Sequence, residues 1–371
     1  MQTLHIDLMP GTPGARSTLT LLRFGAATGG PKATIQAALH ADEVPAILVA
    51  QQLRARLAEL EAEGAMLGCV QLVPYANPLG LAQHLLGQHQ GRFDLADGIN
   101  FNRMHAELGQ TVAGVVAGQL GADAAANVRT IRAALREAAA ALVAEHPAQD
   151  LKHKLLQIAI DSDIVLDMHC DAQAAMHLYA LGGQEAMAAE LGALLGARAV
   201  LMAAESGDSP FDEACSRPWA VLQQSFPDHP VPLACFSPTI ELRGHADTHH
   251  AMAADDAGAI IEFLRRHGLV AGTPAPLPTP RCQPTPLAGS ESIVAPHAGV
   301  VVFKREPGES VDAGSVIADL VDADTGAITS LACQSSGVLY ARIHTRWATP
   351  GMRLAKVAGS TLLRSGKLLS P

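Results

Sequence analysis

Apolar and polar positions follow two rhythms along the first 270 residues. Short apolar runs of strand length occur at Thr18–Phe24, Ala33–Leu39, Cys69–Val73, Ile164–Met168 and Pro232–Phe236. Between them, helical spacing predicts helices over Pro45–Glu61, Val112–Glu145, Leu151–Ile160, Glu185–Leu195 and His249–His267. Strand-like and helix-like segments taken in turn predict an α/β layer fold. Pro45, just after the acidic pair Asp42-Glu43, marks a helix start.

The rhythm changes at Ala271–Pro286, where six prolines predict a stiff extended linker. Residues 287–371 then become strand-rich, with regularly spaced glycines. Two half-repeats, Ala298–Gly314 and Ser336–Gly351, each read as strand, turn and second strand. This duplication resembles the two halves of a biotinyl/lipoyl-type β-sandwich. Carriers of that type need a lysine at the hairpin tip joining the halves. Here the tip, Val321–Gly326, contains none. The region is therefore expected to cover or shape a site, or to mediate assembly. The predicted organisation is a domain over residues 1–270, a linker over 271–286 and a β-rich barrel or sandwich over 287–371.

Composition sharpens this picture. A chain of 371 residues exceeds one ordinary core, and 49% apolar against 17% charged residues argues for a large buried interior. The net charge is −10 and no basic stripe appears, so nucleic-acid binding is not expected. An anionic substrate would have to be captured by a few local arginines. Six cysteines lie dispersed without CxxC spacing and read as reduced, mostly buried thiols. No signal-peptide pattern and no apolar stretch of membrane-spanning length is present, so a cytoplasmic location is expected.

Three strings carry the chemistry: His40-Ala41-Asp42-Glu43, Asp167-Met168-His169 and Thr239-Ile240-Glu241. A strand-to-helix turn with His at one position and Glu three later can aim both at one centre. With the distant His169 they make a three-ligand zinc set that leaves a position open for water. Glu241 is placed to take a proton from that water. The sites fall at or near the ends of predicted strands, where open α/β sheets bind ligands. In the stretch Arg92–Arg103, Asn102-Arg103 offers a fork for a carboxylate, and Arg92 offers a cation for a developing oxyanion. A solvated surface loop is the competing reading of that stretch. Asp167 and Asp171 are both candidates to orient His169. Gly25–Lys32 reads as a turn, the histidines of His245–His250 as a solvated helix start, and Cys170 as a buried thiol facing away from His169.

The ordered set His40-x-x-Glu43, Phe101-Asn102-Arg103, Asp167-Met168-His169 and Thr239–Gly244, together with Val73–Pro78, resembles the succinylglutamate desuccinylase/aspartoacylase family. The resemblance spans roughly residues 20–265. It implies a zinc-carboxypeptidase-like mixed sheet flanked by helices, with the β-rich tail as C-terminal domain. It also implies one Zn2+ on His40, Glu43 and His169, with Glu241 as general base and acid. Asn102 and Arg103 would hold the substrate carboxylate and Arg92 would polarise the scissile carbonyl. The implied substrate is a small N-acyl amino acid. A metallocarboxypeptidase for short peptides and a non-catalytic metal-binding protein remain as alternatives. A homo-oligomer is left open.

Overall fold

Nine strands form one mixed sheet, ordered Gln2–Asp7, Thr18–Phe24, Cys69–Val73, Lys32–Ala37, Ile164–Asp171, Thr239–Gly244, His177–Leu181, Ala199–Ala203 and Pro284–Pro286. The computed structural model describes residues 1–26 and 29–369. The turn read across Gly25–Lys32 includes Ala27 and Thr28, which lie outside the described residues. The middle of the sheet is parallel, from Cys69–Val73 through Lys32–Ala37 and Ile164–Asp171 to Thr239–Gly244. Its strands are apolar on both faces because helices cover both. On one face Pro45–Ala62, Glu185–Leu195 and His250–Arg266 bury Val49, Leu53, Leu191 and Ile260 against Ile35, Leu166 and Ile240. On the other, Gly109–Val116, Ala124–Ala140, Pro147–Ala159 and Phe211–Ser225 pack Ile131, Leu155 and Trp219 against Leu21, Val73 and Val165.

Three departures from the sequence pattern have physical causes. The apolar stretch Val112–Glu145 is two helices rather than one. The chain turns at Gly118 with φ of 77°, and the Asp123 side chain then caps the second helix by accepting from Ala126 N–H. Pro232–Phe236 is not a strand. Pro230 and Pro232 lack donors, and only Phe236 bridges to Ile164 before the strand Thr239–Gly244 begins. Glu241 therefore lies within a strand rather than beyond one. The helix Phe211–Ser225 holds Pro218 in its interior, which hides it from a propensity reading.

The C-terminal residues form two sheets. One runs Ser290–Val294, Arg353–Ala358, Gly337–Arg342 and Ser310–Val311; the other runs Ile328–Ala332, Val316–Val321, Gly299–Phe303 and Trp347–Ala348. The half-repeats supply equivalent strands, Gly299–Phe303 and Gly337–Arg342, one to each sheet. Two joints tie this unit to the large sheet. Pro284–Pro286, from the proline-rich stretch, pairs with Ala199–Ala203, and Gln173–Ala174 pairs with Gly337–Arg342. The second joint lies four residues beyond His169. Among the described residues no helix is long and apolar enough to cross a membrane.

Candidate metal centre and its pocket

The strand Lys32–Ala37 is followed by Ala38, a non-glycine residue in the left-handed region with φ of 56°. The chain there swings into the turn His40–Glu43, closed by Glu43 N–H donating to His40 C=O at 3.1 Å, before Pro45 opens the helix. Gly91 packs against this turn so closely that a Cβ would lie 2.0 Å from Asp42 N. Ala41 N–H donates to Gly91 C=O at 3.0 Å. The turn thus rests on backbone, and Arg92 follows directly at the pocket.

His40, Glu43 and His169 are all buried, and one ligand atom from each lies within 4.8 Å of the others. His40 Nδ1 is 2.8 Å from Glu43 Oε1, and His169 Nδ1 is 2.8 Å from Glu43 Oε2. The far side of each ring decides the tautomer. Asn100 Oδ1 accepts from Asn102 N–H at 2.8 Å, which fixes its amide, so His40 Nε2 at 2.8 Å must be the donor. Asp167 Oδ2 is 2.9 Å from His169 Nε2 and accepts its proton. Both Nδ1 atoms therefore face the Glu43 carboxylate; without metal a proton on His169 and the Arg92 guanidinium balance that charge, and with both rings neutral the two Nδ1 lone pairs are free for a cation. This donor set fits a divalent cation bound through two imidazoles and one carboxylate, each imidazole oriented by an outer acceptor.

The electrostatics follow from the same contacts. Burial, helped by Arg92, lowers the pKa of His40 to about 4. Burial also opposes protonation of His169, but Asp167 and Glu43 outweigh it and raise that pKa well above the usual value. Burial disfavours the charged form of Glu43, yet the two histidines hold its carboxyl well below the usual range. Arg92 Nη1 lies 3.2 Å from His40 Nδ1 and 3.3 Å from Glu43 Oε1.

These groups open into a cavity of about 370 Å³ lined also by Asn102, Arg103 and Glu241. Glu241 stands directly across from His169 on the neighbouring parallel strand. Its Oε2 is buried with no hydrogen-bond partner among the described residues. Burial, and secondarily Glu43, pushes its pKa up to about 8. Asn102 Nδ2 is 3.3 Å from His169 Nε2, while its Oδ1 accepts from Phe211 N–H at 2.8 Å. Arg103 is buried, and its Nη1 donates to Asn102 C=O at 2.7 Å. Six of the seven residues singled out in the sequence therefore line one pocket, and the seventh, Glu43, lies buried against His40 and His169.

The strand Ile164–Asp171 also settles the choice between the two aspartates. Asp167 contacts His169, whereas Asp171 pairs with Lys356 Nζ at 2.8 Å, across the joint with the C-terminal sheets. Cys170 is a buried thiol at the edge of the cavity, and its N–H donates to Glu43 Oε2 at 3.0 Å. His249 and His250 lie exposed at a helix start, as read; His245 instead lines the cavity, its ring centre 6.5 Å from that of His344. Sequence reasoning missed Asn100, Asp212 and the roof formed by Ile343, His344, Arg353, Lys356 and Leu369. Asn100 sits inside the Arg92–Arg103 stretch and was within reach of a motif reading. No local signal marks the roof residues, because the fold alone brings them to the pocket.

A mixed sheet with helices on both faces and a buried His/Glu/His cluster near its strand ends place the chain in the zinc-carboxypeptidase-like class of α/β folds, to which the C-terminal β sheets are an addition. The sequence model of the succinylglutamate desuccinylase/aspartoacylase catalytic domain matches residues 29–222, and the chain belongs to that family. Its members are hydrolases that act as deacylases. A family protein from Shewanella amazonensis is 27% identical, with a TM-score of 0.86 over 96% of this chain and 98% of that one. One from Shewanella frigidimarina, 24% identical, superposes with a TM-score of 0.85 over 96% of this chain and 97% of that one. The product-bound ectoine utilization protein from Ruegeria pomeroyi shares the fold, at 15% identity and a TM-score of 0.67 over 96% and 95% of the two chains. No curated protein sequence matches the chain.

Proposed function

We propose that the protein is a zinc-dependent deacylase that hydrolyses the amide bond of a small N-acyl amino acid. The observation that carries this reading is the convergence of His40 Nδ1 and His169 Nδ1 on the Glu43 carboxylate, with both Nε2 atoms held by outer acceptors, beside a cavity that also holds a carboxylate and two arginines. His40, Glu43 and His169 would hold the ion. A bound zinc supplies Lewis acidity and lowers the pKa of its water from about 15.7 toward about 7.

The chain's own groups divide the remaining work. Glu241 accepts the proton of the attacking water and delivers it to the leaving amine. Arg103 and Asn102 hold the free carboxylate of the substrate in register. Arg92 donates to the scissile carbonyl oxygen, where negative charge grows in the transition state. The roof residues close the cavity at a size suited to one acyl amino acid, which disfavours peptide chains.

Zinc-loaded protein assayed against a panel of N-acyl amino acids, diamino-acid derivatives included, with short peptides in parallel, tests the proposal. Turnover of at least one N-acyl amino acid and little of any peptide is expected. Cleavage confined to peptides would favour the carboxypeptidase alternative. No turnover in a zinc-loaded folded sample would contradict an enzyme of either kind.

A further inference from the structure

Beneath the pocket lies a buried lysine that the proposed mechanism leaves unused. Lys152, on the helix Pro147–Ala159, is 6% exposed, on the side of the helix that packs inward with Leu151, Leu155 and Leu156. Its Nζ donates to Arg103 C=O at 2.8 Å and to Asn100 C=O at 3.2 Å. Both of these acceptors are backbone carbonyls rather than carboxylates. Burying an ammonium group is costly unless donors and acceptors are matched. Here both acceptors belong to one tight turn, Asn100–Arg103, already closed by Arg103 N–H donating to Asn100 C=O at 3.2 Å.

That turn carries three groups of the site. Asn100 orients His40, Asn102 touches His169, and Arg103 lines the cavity. From the other side the segment after it is pinned to a second loop. Met104 N–H donates to Asp208 C=O at 2.7 Å and His105 N–H to Ser209 C=O at 3.0 Å. Met104, Asp208 and Ser209 all have positive φ, at 57°, 59° and 46°, a conformation that persists only where surroundings over-determine it.

We propose that Lys152 is a positioning residue: its ammonium staples the Asn100–Arg103 turn and through it sets both the carboxylate clamp Asn102/Arg103 and the orientation of His40. The inference rests on the deacylase reading for the clamp, but on the donor geometry alone for His40.

Lys152→Met removes the charge and keeps the stem. Relative to wild type, KM for a hydrolysed N-acyl amino acid should rise about 10- to 100-fold, with kcat falling by a smaller factor, because loss of register at Arg103 weakens binding first. Zinc affinity, read by competition with a chromophoric chelator, should fall about 10-fold, the lower end for loss of support behind a metal-binding histidine. The melting temperature should fall by no more than about 4 °C, since Asn100 C=O keeps the Arg103 N–H and the methionine stem keeps the helix packing. Lys152→Gln is read the same way if the methionine variant does not fold. A folded variant with wild-type KM and zinc affinity overturns the proposal. So does a chain that folds with neither substitution, which would assign the lysine to the fold. Wild-type protein without turnover defeats the deacylase reading separately, while the zinc readout still decides the His40 arm. A wild type that binds no zinc defeats both.

Discussion

At the residue scale the candidate metal centre is set less by its three side chains than by what stands behind them. Asn100 and Asp167 accept from the two Nε2 atoms and turn both Nδ1 atoms toward one point. Asp167→Asn keeps the shape but weakens the acceptor, and zinc affinity should fall about 10-fold or more in a chelator competition. Glu241→Gln should leave zinc content unchanged and cut kcat by about 10²–10⁴, the usual worth of a general base. Retained turnover with bound metal would remove Glu241 from its role. Gly91→Ala tests the turn itself. A Cβ set 2.0 Å from Asp42 N must displace backbone, so both melting temperature and zinc affinity should drop together.

At the element scale the strand is the organising unit. Asp167, His169 and Asp171 share one face of Ile164–Asp171 by the two-residue period, and Glu241 sits between His169 and His177 on flanking strands. His177 is fully buried, donates from Nδ1 to Ala175 C=O at 2.8 Å, and its pKa is lowered to about 4, chiefly by burial. Because its folded-state pKa lies below the unfolded value near 6.5, the unfolded chain binds the extra proton between these values. The stability it contributes is complete above about pH 6.5 and is lost as pH falls through about 4, a change on the order of 3 kcal/mol. Denaturant unfolding of wild type and His177→Asn across that window should show a smaller fall in the variant. Parallel curves would exclude His177 as the source.

Local signals explain how much of this was legible. Thr18–Phe24, Cys69–Val73 and Glu185–Leu195 were read with their observed bounds, since apolar periodicity and burial coincide there. The strand Thr239–Gly244 was misplaced onto Pro232–Phe236, where apolar residues cluster but prolines withhold the ladder donors. The helix Phe211–Ser225, whose first N–H anchors Asn102, was obscured by Pro218. The His40, Glu43 and His169 cluster was visible because its spacing is local or follows a strong strand. Lys152 and Lys356 were not, because a lysine buried by tertiary packing looks like any other in sequence.

At the scale of the whole molecule, a chain of net charge −10 concentrates Arg92, Arg103, Arg353 and Lys356 around one cavity. Two of these four come from the C-terminal sheets, so the β-sandwich is part of the pocket rather than an appendage. Lys356→Met breaks the link to Asp171 across the joint. It should lower kcat/KM for N-acyl amino acids and raise the relative rate on short peptides as the roof loosens, with zinc content unchanged. An unaltered preference would separate the roof from selectivity.

The central claim is that two imidazoles and one carboxylate share a single cation. The most direct measurement is an anomalous difference map at the zinc edge from crystals of zinc-loaded protein. The account predicts one peak, about 2.0–2.2 Å from His40 Nδ1, His169 Nδ1 and a Glu43 oxygen. A peak held by other residues, or none at those three, would contradict it.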